Sequence, residues 1–241
     1  MNLVIDLGNT QAKYGIYHHN QLIEQWIENN SKRSSKKHGQ NLDITQVIIS
    51  SVIKFRPRNL PQEKKSNTIL LTHNTPLPIK NKYATPETLG NDRLANAVGA
   101  TIVFPGKDVL IIDTGTCIKY DFIDKRKNYF GGAISPGLEM RFKALNSFTS
   151  KLPLVEPSKK FQLTGRDTKQ SILSGVQNGI IFEIKGTIKE YRKKYKNLKV
   201  ILTGGDHSFF ANHLKNSIFA APNLTLQGLN EILNYNVSKN S

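Results

Sequence analysis

The sequence predicts an α/β chain of two duplicated halves, each a β-meander followed by alternating helices and strands. Three observations predict it. First, an apolar run ending on Asp, then Gly, then Thr occurs twice, as Leu3-Val4-Ile5-Asp6-Leu7-Gly8-Asn9-Thr10 and as Val109-Leu110-Ile111-Ile112-Asp113-Thr114-Gly115-Thr116. Second, each copy leads into another strand-like run, 12–17 and 118–123. Third, both halves continue with further strands and helices in alternation, and Pro105-Gly106 separates them.

In the first half, residues 3–7, 12–17 and 22–27 read as three meander strands. The polar, basic stretch 29–43 reads as a loop or short helix. Residues 47–52 form a flat apolar run, which suits a central strand buried on both faces. Residues 68–72 are another strand, and Pro76 and Pro78 then break the chain. Leu94, Ala97, Val98, Ala100 and Ile102 give 91–103 a helical pattern. The second half restarts with strands 109–113, 117–123 and 129–134, and Pro136-Gly137 opens a helix over 138–149. Asp167 and Thr168 cap a long helix, 168–194, with Ile172, Val176, Ile180, Ile184 and Ile188 on one face. Strand 199–203 runs into Gly204-Gly205, and helices near 207–215 and 225–235 follow. Two domains are expected, 1–104 and 105–241, with the last helix a candidate to pack back on the first.

With 241 residues, the chain can bury a substantial core. No apolar segment approaches the roughly 20 residues of a membrane span, and no secretory leader pattern is present. Cys117 is the only cysteine, so no intrachain disulfide can form, which fits a reducing cytoplasm. The net charge of +16 is densest in Lys32-Arg33-Ser34-Ser35-Lys36-Lys37-His38 and Arg192-Lys193-Lys194-Tyr195-Lys196. No recognised nucleic-acid motif accompanies these runs, so nucleic acid is not the expected partner; the field would favour anionic small molecules. His18 and His19 read as neighbours on one strand, on opposite faces, and no zinc site is expected.

A buried strand that ends on Asp presents a carboxylate at its tip. The Gly behind it permits close approach, and the turn can aim N–H groups and a hydroxyl at phosphate oxygens. One such hairpin is often only a β-turn. Two at domain-scale separation suit the phosphates of one nucleotide, and the chain contains neither a G-x-x-x-x-G-K-[ST] loop nor a G-x-G-x-x-G. This layout resembles the actin-like, sugar-kinase-like ATPases. That resemblance implies duplicated ribonuclease H-like domains, each a five-stranded mixed sheet flanked by helices.

Longer segments resemble the type III pantothenate kinases, in that family's order. They are 6–13, Tyr83-Ala84-Thr85-Pro86-Glu87-Thr88-Leu89-Gly90-Asn91-Asp92-Arg93, the second hairpin, Gly131-Gly132-Ala133-Ile134-Ser135-Pro136-Gly137-Leu138, Gly165-Arg166-Asp167-Thr168, Thr203-Gly204-Gly205 and 222–229. The resemblance implies transfer of a phosphoryl group from ATP to pantothenate, the first step of coenzyme A synthesis, by a cytoplasmic homodimer. It implies ATP contacts from Asp6, Leu7, Gly8, Asn9, Thr10, Gln11, Ala12, Lys13 and Thr116, with Asp6 also holding Mg²⁺ through water. Asp92 would be the base that accepts the alcohol proton. Tyr83, Gly90, Asn91, Asp92, Arg93 and Thr168 would contact pantothenate, the threonine coming across the dimer. Asp113 would bind a monovalent cation, K⁺ or ammonium, and Gly204-Gly205 would admit the adenosine. Lys119 departs from the family's usual small residues, and strand alternation puts it on one face with Cys117 and Asp121. It reads either as surface charge or as a group crowding the site. Two other readings stand beside the kinase: a non-catalytic transcription accessory protein of the same fold, and a kinase of a neutral sugar. The joint presence of Asp6, Asp92, Arg93, Asp113 and Thr168 favours catalysis, and Arg93 favours an anionic substrate.

Overall fold

The computed structural model describes residues 1–29, 38–39, 42–52, 67–214 and 218–240. Most of the polar stretch 29–43, the basic run 32–37 within it, and residue 215 lie outside the described residues. The chain divides into two compact units: Met1–Pro105 with Lys127–Tyr129 and Asn223–Ser241, and Gly106–Arg126 with Phe130–Pro222.

Unit 1 is built on a five-stranded sheet of order β3-β2-β1-β4-β5. Strands β1 (Asn2–Leu7), β2 (Gln11–His18) and β3 (Gln21–Asn29) are the antiparallel meander. Strands β4 (Gln46–Ser51) and β5 (Asn67–Leu70) run parallel to β1. The central strands β1 and β4 are buried through their middles, as the flat apolar run of β4 requires, whereas β3 alternates exposed and half-buried positions. One sheet face gathers Leu3, Ile5, Ile16, Val47 and Ile49. Beside them Trp26 stacks between Tyr14 and His38, with ring centres 4.9 and 4.4 Å away. The other face is covered by α1 (Asn91–Val103) and α6 (Leu224–Asn240), which cross each other closely. Asn2 Nδ2 donates to Asn230 Oδ1 at 2.9 Å and to Asn234 Oδ1 at 2.8 Å, tying β1 to α6. The β2–β3 turn corrects one expectation. His19 leaves the strand at φ +53°, so its ring meets that of His18 at 4.5 Å instead of taking the opposite face.

In unit 2, β7 (Val109–Thr114) is buried along its whole length. It lies between antiparallel β8 (Cys117–Ile123) and parallel β10 (Lys199–Thr203). The sheet continues through β9 (Asn128–Pro136) and β11 (Phe219–Ala220), and its order is β11-β10-β7-β8-β9-β6. The sheet has six strands where five were expected, because the two-residue β6 (Lys80–Asn81) adds to Asn128 and Tyr129, all four of these residues being counted in unit 1. Two residues are too few to show an alternation. Helices α2 (Leu138–Ser147), α3 (Thr168–Leu173), α4 (Gly179–Lys194) and α5 (His207–Ala211) complete the unit, so α5 and α2 end earlier than predicted.

The long helix 168–194 is not uniform: a π-helical turn, Ser174–Asn178, joins α3 to α4. All five predicted apolar positions of the run are buried. They recur every four residues, and in an ideal helix such a stripe drifts by about 40° per step. The wider i→i+5 turn takes up that drift. It also directs buried Gln177 inward, where its amide donates to the Ser158 carbonyl at 2.9 Å and accepts from the Ser158 N–H at 2.8 Å.

Candidate active site

Each unit places a carboxylate at the carboxyl end of its central strand, the end where open α/β sheets bind ligands. In unit 1, Asp6 stands opposite Lys13 on β2 and Ser50 on β4. Ser50 Oγ donates to Asp6 Oδ1 at 3.1 Å, and Asp6 keeps 9% of its surface. The Gly8 N–H donates to the Gln11 carbonyl at 3.0 Å and closes the turn. A Cβ at Gly8 would lie 3.1 Å from that oxygen, so the glycine keeps the turn narrow. Asn9, Thr10 and Gln11 are exposed at its tip, Ala12 is buried, and Leu7 and Lys13 are half-buried. The turn exposes the Asn9 amide and the Thr10 hydroxyl, with one carboxylate behind them. A single carboxylate suits Mg²⁺, which keeps most of its water and takes the rest of its ligands from phosphates.

The start of α1 lies at the same sheet edge. Asn91 Nδ2 donates to the Leu71 carbonyl at 2.8 Å, and the Leu71 N–H donates to Ile49 at 2.8 Å, which ties the helix to the ends of β4 and β5. Gly90 is the extended residue before the helix. Asp92 sits in the first turn, where its Oδ1 accepts the Arg93 N–H at 3.0 Å and the helix dipole favours its charge. Arg93 is buried at 4% exposure, with its guanidinium carbon 5.5 Å from the centre of the Tyr83 ring. The Tyr83 N–H is held by Asn81 Oδ1 at 3.0 Å. Tyr83, Gly90, Asn91, Asp92 and Arg93 are therefore one cluster within unit 1, built on one helix start and the segment before it.

In unit 2, Asp113 stands opposite Thr203 on β10 and Lys119 on β8. Thr114 Oγ1 donates to the Thr203 carbonyl at 2.9 Å, and the Asp206 N–H donates to the Thr114 carbonyl at 2.8 Å. Gly204 has φ +95°, and a Cβ there would lie 2.4 Å from both Asp113 Oδ1 and the Thr114 carbonyl. The second turn thus packs against Gly204 in backbone contact, and Thr116 is exposed at its tip. Lys119 is not free surface charge: its Nζ lies 2.8 Å from Asp113 Oδ2. Beyond Gly204-Gly205, burial and the nearby Glu139 push the Asp206 carboxyl up from its ordinary value.

Thr168 lies in unit 2, exposed, as the first residue of α3. It is not a cap. Asp167 caps the helix, with Oδ1 accepting the Gln170 N–H at 2.8 Å and Oδ2 accepting the Gln170 side-chain amide at 2.6 Å. The hydroxyl of Thr168 is thereby left out of the capping.

Two features have no counterpart in the sequence reading. Ser50, which orients Asp6, is visible only as the polar end of an apolar run. Glu183 on α4 collects Tyr120, Ser135 and Arg141: the phenol donates to Oε1 at 2.7 Å, Ser135 Oγ to Oε2 at 3.2 Å, and Arg141 Nη2 to Oε2. Arg141 Nε also holds the Pro136 carbonyl at 2.9 Å. Burial pushes the Glu183 carboxyl up, but the bonds from Arg141 and Tyr120 prevail and hold it below the usual carboxylate value. The network fastens the 131–138 segment to α4. Its members are far apart in sequence, so no local pattern announces it. Among the described residues, no three His, Cys, Asp or Glu side chains converge on a metal position, and no helix is long and apolar enough to cross a membrane.

A family model for type III pantothenate kinase matches residues 2–190. A type III pantothenate kinase of Christiangramia forsetii is 48% identical over 242 residues, covering 98% of this chain and 99% of the relative. One of Bacteroides fragilis is 46% identical over 239 residues, covering 98% of each. Among solved structures, a Campylobacter jejuni protein named for the Baf family of transcriptional activators superposes with TM-score 0.66, 21% identity and coverage of 98% and 99%. A Listeria monocytogenes protein described as a candidate N-acetylmannosamine kinase superposes with TM-score 0.56, 13% identity and coverage of 98% and 99%. At such identities these likenesses speak to the fold alone, and the fold is that of the actin-like, sugar-kinase-like ATPases. Family model and relatives cover the hairpins and the α1 cluster together, and the chain belongs to the type III pantothenate kinase family.

Proposed function

We propose that this chain transfers the γ-phosphoryl group of ATP to the primary alcohol of pantothenate, giving ADP and 4′-phosphopantothenate, the first step of coenzyme A synthesis. Family membership supports the reaction. The observation that carries the residue assignments is the cluster at the start of α1, where Asp92 is oriented by the Arg93 N–H and Arg93 lies against Tyr83. In this reading Asp92 accepts the alcohol proton as the new bond to phosphorus forms. Arg93 supplies the positive charge for pantothenate's carboxylate, and Tyr83, Gly90 and Asn91 line the substrate. The turn from Asp6 through Lys13, with Thr116, contacts the ATP phosphates. Asp6 would hold Mg²⁺, which would supply neutralisation of charge on the phosphate oxygens. Thr168 of the partner subunit completes the site in a cytoplasmic homodimer. The non-catalytic alternative has no support from the relatives, which are named as kinases.

The monovalent cation implied at Asp113 does not fit the residues present. A cation on that carboxylate would lie beside the Lys119 ammonium, 2.8 Å from Oδ2. Two unit charges about 4 Å apart repel by about 4 kcal/mol at an effective dielectric near 20. No step is assigned to such an ion.

The test is ADP release by purified protein with ATP and Mg²⁺, with and without pantothenate, beside Asp92→Asn. Pantothenate-dependent turnover that falls by about 10²- to 10⁴-fold in the variant is the expected result. Unchanged turnover in Asp92→Asn would remove the base assignment, and no turnover in the folded wild type would remove the kinase reading.

A further inference from the structure

Asp113 already has a cation. It and Lys119 are directly opposite in the antiparallel β7–β8 ladder, so both side chains leave the same face of the sheet. The ammonium lies 2.8 Å from Oδ2, and the two side chains retain 17% and 13% of their surface. A solvated surface pair would be screened and worth little. This pair is sheltered, and a sheltered carboxylate needs a partner. On the side of Oδ1, the Gly204 backbone comes close enough that a Cβ would lie 2.4 Å away. The strand beneath is fully buried, and the Thr114 bond to Thr203 fixes its end.

The head group of lysine is an ammonium ion with three N–H donors. A free potassium or ammonium ion on this carboxylate would bring the same charge, but it would have to be captured from solvent. A tethered ammonium is always present, because its tether makes the binding intramolecular.

We propose that the Lys119 ammonium is the built-in counter-ion of Asp113, so that this enzyme takes no exchangeable monovalent cation at that carboxylate and turns over without one. The proposal rests on the kinase reading above. Lys119 acts as a positioning residue. It neutralises Asp113 behind the Gly115–Thr116 turn, so phosphate oxygens approaching the turn do not meet a bare negative charge.

The experiment compares turnover of ATP and pantothenate in potassium, sodium and choline chloride at equal ionic strength, for wild type and Lys119→Ala. Thallium(I), a spectroscopic stand-in for potassium, is titrated in parallel and followed by thallium NMR, which reads the site without turnover. Wild-type rates that agree within about twofold across the three salts are expected, with no saturable thallium binding. Lys119→Ala is expected to lose about 5- to 150-fold in choline, to recover with potassium or ammonium, and to bind thallium in competition with potassium. A wild type that gains about tenfold from potassium, or binds thallium at a site abolished by Asp113→Asn, overturns the proposal. So does a folded Lys119→Ala that remains indifferent to the salt. Should that variant fail to fold, the wild-type salt series and titration decide alone. Absence of turnover in every salt would remove the kinase reading, while the thallium titration would still decide the cation.

Discussion

Gly228 on α6 meets the Ala95 carbonyl on α1 so closely that a Cβ at Gly228 would lie 1.8 Å from that oxygen and 2.9 Å from the Gly99 nitrogen. Gly99 returns the contact, since a Cβ there would lie 2.6 Å from the Leu224 carbonyl. The two glycines let the helices touch backbone to backbone. Gly228→Ala should therefore destabilise unit 1 by about 1–3 kcal/mol, because the helices must separate. Intrinsic helix propensity predicts the opposite sign, a gain of about 1 kcal/mol. Urea unfolding decides between the two.

Tyr17 is 1% exposed, and among the described residues its hydroxyl has no hydrogen-bond partner. Burial pushes its phenol up to about 12. An unsatisfied hydroxyl costs about 1–3 kcal/mol when it leaves water. Tyr17→Phe keeps the ring and removes the hydroxyl, so it should raise stability by about 1 kcal/mol. A lower melting temperature for the variant would show that the hydroxyl is satisfied in solution.

Glu183 makes a pH prediction. Its carboxyl titrates below the ordinary 4.5 in the folded chain, so the unfolded chain takes up the proton first as pH falls. The stabilisation is complete above 4.5 and is lost as pH falls through the lower folded value. Glu183→Gln should cost about 1 kcal/mol at neutral pH, discounted for partial exposure. The gap from wild type should close in acid, and a gap that stays constant down to the acid limit would contradict the assignment.

Arg93 separates binding from chemistry. On the proposed reading, Arg93→Met should raise the KM for pantothenate by about 10- to 100-fold with little change in kcat. Arg93→Lys should not restore it, because the planar fork and its contact with Tyr83 are lost. A fall in kcat at unchanged KM would move Arg93 from substrate binding to the chemical step.

The parts of the fold legible in the sequence were those that local chemistry specifies. Asp6 and Asp113 at strand ends, Gly8 and Gly115 in the turns, and Gly90 before α1 all lie where turn and cap chemistry put them. The pairing of Lys119 with Asp113 was within reach too, since a short hairpin turn sets the register and the register names the opposite residue. What stayed hidden depends on distant partners or on very short elements. Nothing near Glu183 names Tyr120, Ser135 or Arg141, and nothing near Asp6 names Ser50. The π turn was written in the four-residue spacing of Ile172, Val176 and Ile180, but reading it needs the face on which those residues must finish. The contact of the Arg93 guanidinium with the Tyr83 ring spans a break in regular structure and has no periodic signal.

Helix α6 has a consequence for synthesis. Residues 1–105 emerge first, yet α6, one of the two helices that cover their sheet, comes from Asn223 onward, after unit 2. A nascent chain halted at Pro222 has all of unit 2, while the Asn2, Val4 and Ile48 face of unit 1 still lacks α6. The half translated first is the half completed last: α1 already lies on that face, but the apolar surface of the sheet and of α1 that α6 will cover stays open for the length of unit 2.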